Sequence, residues 1–277
     1  MAFILVLQKY TENSLNLQHT QDKDRMNTSY SEYGLLGYPL GHSFSKEYFN
    51  QKFEVEEIPA AYLNFEFKDC DLFISKLNEY PRLMGFNVTI PHKKSIMRHM
   101  TRIDDSAKNI GAINVVKIIR YSSEKWEMVG FNTDVTGFCK SITPMLKSWH
   151  KKALVLGTGG ASEAVKAGLV HLGIIPLLVS RTPRNGQIGY DELSKEILQS
   201  HTVIVNATPL GMYPNIDSYP PIPYNYISEN HIAFDLVYNP LETIFMRKCA
   251  EMGAKTSNGL NMLHIQAEEA WKIWTSK

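Results

Sequence analysis

From Tyr33 onward, apolar and polar positions fall into short runs whose period switches between that of a strand and that of a helix. Strands are predicted over YGLLGY (33–38), AAYLNFEF (60–67) and GFNVTI (85–90). Between them lie a loop, PLGHS, a helix, FSKEYFNQKFEV (44–55), and a second helix, DLFISKLNEY (71–80), with Leu72, Phe73, Leu77 and Tyr80 near helical spacing. INVVKII (113–119) and WEMVGFN (126–132) read as a hairpin around a turn at 121–126.

The second half is more regular. Strands are predicted at ALVLG (153–157), PLLVS (176–180), TVIVNAT (202–208) and HIAFDLVY (231–238). Helices SEAVKAGLVHLG (162–173), YDELSKEIL (190–198) and LETIFMRKCAEMG (241–253) separate or follow them. Short buried strands alternating with helices imply a parallel sheet covered on both faces, so the fold class is α/β.

Composition narrows the function classes. The chain has 277 residues, 44% hydrophobic and 21% charged, which suits a packed globular core of one large domain or two ordinary ones. A net charge of +1 offers no basic excess for nucleic acid or an anionic membrane. Three widely separated cysteines, Cys70, Cys139 and Cys249, fit a reducing cytoplasm better than a disulfide framework. Metal-binding spacings are missing, so no metal is expected. The segment 11–31 is polar and aperiodic, and residues 1–31 read as a loosely ordered leader with Met26 as an alternative start.

Two stretches carry candidate chemistry. NVTIPHKK (87–94) runs from a strand into Pro91, which ends it. Lys93 and Lys94 would then stand near a helix start, where the dipole disfavours cations. Alone, such a run reads first as a solvated turn, or else as an active-site loop at a strand end. LVLGTGGASEAV places Gly157, Gly159 and Gly160 between a strand and a helix. That is the setting in which a glycine turn cradles a pyrophosphate at a helix N-terminus. Ser162 stands at the third position instead of Gly or Ala, and an ordinary βα turn is the alternative. The next strand ends in Ser180, Arg181, Thr182, Pro183 and Arg184, without the carboxylate that an NAD ribose would meet. Guanidinium groups suit a 2′-phosphate, although isolated arginines also serve as solvated surface.

Together these runs resemble the shikimate dehydrogenase family. GYPLGHSFS, GFNVTIPHK, GAINVV, GFNTDVTG, LGTGGAS, SRT, NATPLGM, DLVYNP and GLNMLHIQAEEA occur in the family's order from Tyr33 to Trp274. The resemblance implies reversible reduction of 3-dehydroshikimate to shikimate with NADPH, in chorismate and aromatic amino-acid biosynthesis. It implies two α/β domains with a cleft between them: a substrate domain of 32–133 plus 259–277, its C-terminal helix returning to it, and a Rossmann-like NADP-binding domain of 134–258. It makes Lys93 and Asp134 catalytic and gives Ser43 and Ser45 to the substrate carboxylate. Asn87, Thr89, Asn114, Tyr238 and Gln266 complete the implied substrate site. The implied cofactor site is Gly157, Gly159, Gly160, Ala161, Ser180, Arg181, Thr182, Arg184, Asn206, Thr208, Met212 and Gly259. A small-molecule substrate, no nucleic acid, no membrane and a monomer or homodimer in the cytoplasm follow from the same resemblance. Departures are Lys46 after the second serine, Phe49 before Asn50, Ser180 at the head of SRT, and Arg184 one place early.

The chemistry suits these residue types. Hydride reduction of a ketone leaves an oxygen that must gain a proton, and a lysine ammonium can supply it. Asp134 can hold that ammonium and accept from a ring hydroxyl, or cap the following helix. Ser43 and Ser45 can bind a carboxylate or cap theirs. Gln266 alone reads as an exposed helix residue. Competing readings are an NAD-using quinate/shikimate dehydrogenase, a non-catalytic sensor of pathway compounds, and a related folate-type dehydrogenase, which the paired serines disfavour.

Overall fold

The structure, a computed structural model, describes residues 30–41, 44–122 and 125–276. The leader expected over 1–31 lies outside them apart from Tyr30 and Ser31, and the first strand already begins at Ser31. Among the described residues the chain divides into two compact units. One falls within Met1–Thr101 and Val116–Val129, the other is Arg102–Val115 with Gly130–Lys277.

The first sheet is built on β1 (Ser31–Gly37), β2 (Ala60–Glu66) and β3 (Leu83–Val88). β4 (Arg102–Ile103) and the hairpin β5 (Val115–Arg120) and β6 (Trp126–Phe131) complete it, in the order β2-β1-β3-β5-β6-β4. β1 pairs in parallel with both β2 and β3. Helix α1 (Phe44–Val55) buries Phe49 and Phe53, four residues apart and so on one face. Phe49 stacks on Tyr62 of β2 at 4.7 Å. α2 (Cys70–Ser75) adds Phe73, which meets Phe65 and Phe86 at 4.9 and 5.1 Å. The single helix expected over 71–80 is thus a short helix and a separate tight turn, Leu77–Glu79. The Lys76 amide bonds back to Phe73 and Ile74 and ends the α geometry, leaving Leu72 52% exposed rather than in the core.

The second unit begins with α3 (Asp105–Lys108), followed after the hairpin by α4 (Asp134–Ile142). Its sheet contains β7 (Lys152–Leu156), β8 (Ile175–Val179), β9 (Gln187–Ile188), β10 (Val203–Asn206), β11 (Ile232–Asp235) and β12 (Lys255–Ser257). All pairings are parallel, and the order is β12-β11-β10-β7-β8-β9. Counted from β7, this is the 3-2-1-4-5-6 order of a dinucleotide-binding sheet. Its strands are apolar on both faces, as a doubly covered sheet requires. Ala153, Val155, Val203, Val205, Ile232 and Phe234 face one layer, where Val165 and Leu169 of α5 (Gly160–His171) pack with Phe138 of α4. Leu154, Leu156, Ile204 and Ala233 face the other, with Leu198 of α6 (Lys195–Ser200) and Phe245 of α7 (Ile244–Glu251).

Several boundaries differ from the periodic reading, each through a side-chain cap. The helix expected over 190–198 is a turn at Tyr190–Glu192 and then α6, because the Ser194 hydroxyl accepts from Ile197 N and starts a new helix. The helix expected from Leu241 begins at Ile244, where Thr243 Oγ1 accepts from Met246 N. Two or three residues make β4, β9 and β12, too few for a period to register.

The last helix, α8 (Leu260–Thr275), lies against α4. Lys140 donates to Glu269 at 2.7 Å. α4 in turn meets α5 at Gly168, where any larger residue would strike Phe138. All three helices belong to the second unit, which holds residues 259–277 together with Arg102–Val115. No helix among the described residues is long and apolar enough to cross a membrane.

Candidate active site

In the first unit the chemistry gathers where β1 and β3 end. Thr89 N donates to Leu36 O at 2.9 Å, and Tyr38 N to Ile90 O at 3.1 Å, so the two strand ends stay paired beyond the ladder. Thr89 and Asn87 are half-buried. Pro91 follows the strand as expected, but what comes next is a turn and a tight helix at Ser95–His99. His92 anchors that turn: it is buried, and its Nε2 lies 2.6 Å from Phe67 O. Lys93 is half-buried while Lys94 is exposed. The two lysines therefore differ in environment although they adjoin in sequence.

Ser45 lies in the first turn of α1. Its side chain is near enough to the Tyr62 phenol to favour the phenolate, though burial, the larger effect, raises that pKa. Ser43 lies outside the described residues.

Below the turn, the Asp71 carboxylate takes both oxygens to Arg98 Nη2 at 2.5 Å and lies 2.6 Å from His99 Nε2. Arg98 and then His99 hold its pKa below the usual carboxylate range. The ligating atoms of Cys70, Asp71 and His99 lie within 4.8 Å of one another, a grouping that sequence spacing gives no sign of.

In the second unit, Asn114 and Asp134 come together as a buried pair. Asn114 Nδ2 donates to Asp134 Oδ1 at 2.9 Å and lies 3.1 Å from Thr133 Oγ1. Asn114 Oδ1 accepts from Thr133 N at 2.8 Å. Asp134 is the first residue of α4 and does not cap it; Asn132 Oδ1 takes the Asp134 amide instead, at 2.9 Å. The carboxylate gains from the helix N-terminus behind it. Asn132 and Thr133 thus hold the pair in place, and their only sequence signal is their position inside GFNTDVTG. Gln266 of α8 is half-buried and lies against Gly137 of α4, where a Cβ would come within 2.7 Å of Gln266 Cγ. Tyr238, just past β11, is half-buried, and burial raises its phenol pKa.

The glycine turn sits at the switch point between β7 and β10, where the strand order reverses and ligands of open α/β sheets bind. Gly157 has φ +102°, a conformation that disfavours any side chain, and its turn abuts Ala207 and Thr208. A Cβ at Gly159 or Gly160 would meet open space, so the backbone at the start of α5 can be approached closely. Ala161 is exposed beside them. Ser162 is fully buried, and its hydroxyl donates to Gly159 O at 2.6 Å. The serine that departs from the glycine fingerprint therefore braces the turn.

Beyond β8, Ser180 is buried, and its Oγ bonds both the amide and the carbonyl of Thr182. Arg181, Thr182 and Arg184 are exposed. Arg184 N donates to Gln187 Oε1 at 3.1 Å, which shapes the loop back to β9. Arg181 lies close enough to Tyr190 to favour its phenolate, though burial, the larger effect, raises that pKa.

Asn206 and Asp235 end their strands with a shared network. Asn206 Nδ2 donates to Asp235 Oδ1 at 2.9 Å, and its Oδ1 accepts from Thr208 Oγ1 at 2.6 Å and Thr208 N at 3.1 Å. Asp235 also accepts from Val237 N at 3.0 Å and Thr243 Oγ1 at 2.6 Å. These Asx turns trim the strands expected over 202–208 and 231–238 to four residues each. Met212 is 44% exposed in the loop beyond, and Gly259 is buried against Leu236. Asp235 was not read as a site residue.

The first part of the chain, residues 35–116, matches the family model described as the shikimate dehydrogenase substrate binding domain. A curated shikimate dehydrogenase (NADP(+)) of Methanococcus maripaludis is 36% identical over 262 residues, spanning 88% of this chain and 91% of its own length. A solved shikimate dehydrogenase in complex with NADP+ superposes with a TM-score of 0.80 at 33% identity, covering 91% of this chain and 92% of its own. The enzyme of Thermus thermophilus, solved with NADP(H) and shikimate, gives a TM-score of 0.76 at 29% identity over 89% of this chain and 94% of its own.

The Asp235 carboxyl is pushed up to about 6, first by burial, against the pull of Thr243, Val237 and Asn206. The fold therefore binds its proton more tightly than the unfolded chain does. The resulting stability is fully present below the unfolded pKa near 4 and is lost as pH rises through about 6. Two pKa units correspond to about 3 kcal/mol. The unfolding free energy from urea titrations should fall by that order between pH 4 and 7 relative to an Asp235→Asn variant. Parallel pH profiles for the two proteins would show that Asp235 titrates normally.

Proposed function

Because this chain belongs to the shikimate dehydrogenase family, we propose that it reduces 3-dehydroshikimate reversibly to shikimate with NADPH. The observation that carries the reading is the buried Asn114–Asp134 pair, a carboxylate and an amide fixed at 2.9 Å at the start of α4. A ring bearing hydroxyls needs such acceptors and donors held in place. Relatives named shikimate dehydrogenase (NADP(+)) support the substrate class and cofactor.

The residues fit the nucleotide. Gly157, Gly159 and Gly160 leave room for a pyrophosphate at the start of α5. The 180–184 segment offers Arg181 and Arg184, exposed and with no carboxylate among them, for a 2′-phosphate. Bound NADPH supplies the hydride. Lys93 supplies the proton to the carbonyl oxygen as it becomes a hydroxyl, and accepts it in the reverse direction. Asn114 and Asp134 hold ring hydroxyls, Ser43 and Ser45 take the carboxylate, and Asn87 and Thr89 orient the ring. Gln266 and Tyr238 complete the substrate contacts. Asn206, Thr208, Met212 and Gly259 serve the nicotinamide half. On this reading the substrate domain spans 32–133, with residues 259–277 contributing Gln266.

The test is NADP reduction by shikimate, run beside NAD and beside quinate. Turnover with shikimate and NADP well above the other combinations is expected; no turnover with any of them would overturn the assignment. Lys93→Ala should lower kcat by about 100- to 10,000-fold with little change in substrate KM. Retained kcat with a collapsed substrate affinity would make Lys93 a binding residue only.

The arginines set the cofactor preference. A charge-assisted hydrogen bond contributes about 1.5–3 kcal/mol, or roughly 10- to 150-fold. Exposure of Arg181 points to the lower end, about tenfold. Arg181→Ala should raise KM for NADP by that factor and leave NAD unchanged, with Arg184→Ala acting more weakly. An Arg181→Ala variant that loses both cofactors alike would contradict this.

A further inference from the structure

Tyr62 stands on β2 and is fully buried. Its hydroxyl donates to Asn87 Oδ1 at 2.7 Å. The Ser45 side chain near it favours the phenolate, while burial, the larger effect, raises the phenol pKa well above its usual value. The phenol therefore stays protonated, and its bond has one direction, from the Tyr62 hydroxyl to the Asn87 carbonyl oxygen. This direction fixes the Asn87 amide, because Oδ1 faces Tyr62 and the amino group must face the other way.

The rest of α1 holds Tyr62 in register. Phe49 stacks on the ring at 4.7 Å and 10°. Asn50 Nδ2 donates to Tyr62 O at 3.1 Å, and Asn50 Oδ1 accepts from Tyr62 N at 2.9 Å. These two bonds occupy the outer side of an edge strand. The helix that carries Ser45 is thus clamped to Tyr62.

We propose that Tyr62 is a positioning residue for substrate binding, setting the orientation of Asn87 through its buried hydroxyl, next to the helix that carries Ser45. The proposal rests on the reading of Ser45 and Asn87 as substrate contacts. Tyr62 itself need not touch the substrate.

The experiment compares Tyr62→Phe with Ser45→Ala and Asn87→Ala, reading kcat, KM for shikimate, KM for NADP and the urea midpoint. Tyr62→Phe keeps the ring and its stack on Phe49. It should raise KM for shikimate about tenfold, a loss of the size of one hydrogen bond, and leave KM for NADP unchanged. Ser45→Ala and Asn87→Ala should raise the same constant. Tyr62→Phe that lowers the urea midpoint with a parental KM for shikimate would overturn the positioning role while leaving Ser45 and Asn87 as contacts. Parental KM in both Ser45→Ala and Asn87→Ala would remove those contacts and the proposal together. Asn87→Asp covers the case in which Tyr62→Phe does not fold. It keeps an acceptor for Tyr62 and loses the amino group, so its KM for shikimate should rise; a parental value would overturn the proposal.

Discussion

Asn114 and Asp134 are both buried, and the 2.9 Å bond between them is the constraint on which the proposed site in the second unit depends. Removing a carboxylate and an amide from water is costly unless every group finds a partner. Here Thr133 supplies an amide to Asn114, Asn132 supplies an acceptor to the Asp134 amide, and α4 begins at the carboxylate. Once those partners are in place, the side chains have little freedom left. Their orientation is settled by folding before any ligand arrives, which is the condition for preorganised catalysis.

The same device recurs at other strand ends. Asn206 and Asp235 close β10 and β11 with a shared network, and each turns its own backbone through an Asx bond. Ser162 braces the glycine turn after β7, and Ser180 braces the loop after β8. In each case an apolar strand inside the sheet hands over to a polar side chain whose bonds are all internal. The strand sets the position, and the buried bond sets the direction. Arg181 and Arg184 follow the opposite rule and stay in solvent. On the proposed reading they meet a phosphate, and a side chain with that role loses less by waiting in water than by being held in a fixed geometry without its anion.

Much of this was legible in the chain. β7, β10 and β11 read as short apolar runs, and their alternate residues do divide between two cores. Gly157, Asp134 and Lys93 were marked by the turns and strand ends around them. Hydrogen-bond partners between distant segments were not legible. Nothing in the sequence around Tyr62 points to Asn87, 25 positions away. Asp235 reads as part of a strand because its neighbours are apolar, and it is that strand's last residue, but its bond from Val237 N, which ends the strand there, leaves no mark in the pattern. Helix ends shifted for the same reason: Ser194 and Thr243 cap the backbone locally, and a periodic pattern does not register a cap. The grouping of α8 with α4 turns on side-chain contacts such as Lys140 with Glu269, which no local pattern encodes.

The central claim is that Asn114 and Asp134 act as one unit. A double-mutant cycle on kcat/KM with shikimate measures this directly, using Asn114→Ala, Asp134→Ala and the double variant. The account predicts strong non-additivity, with the double variant little worse than the Asp134→Ala variant and a coupling of about 1–3 kcal/mol. Losses that simply add would contradict it, because each residue would then serve the reaction without depending on the bond between them.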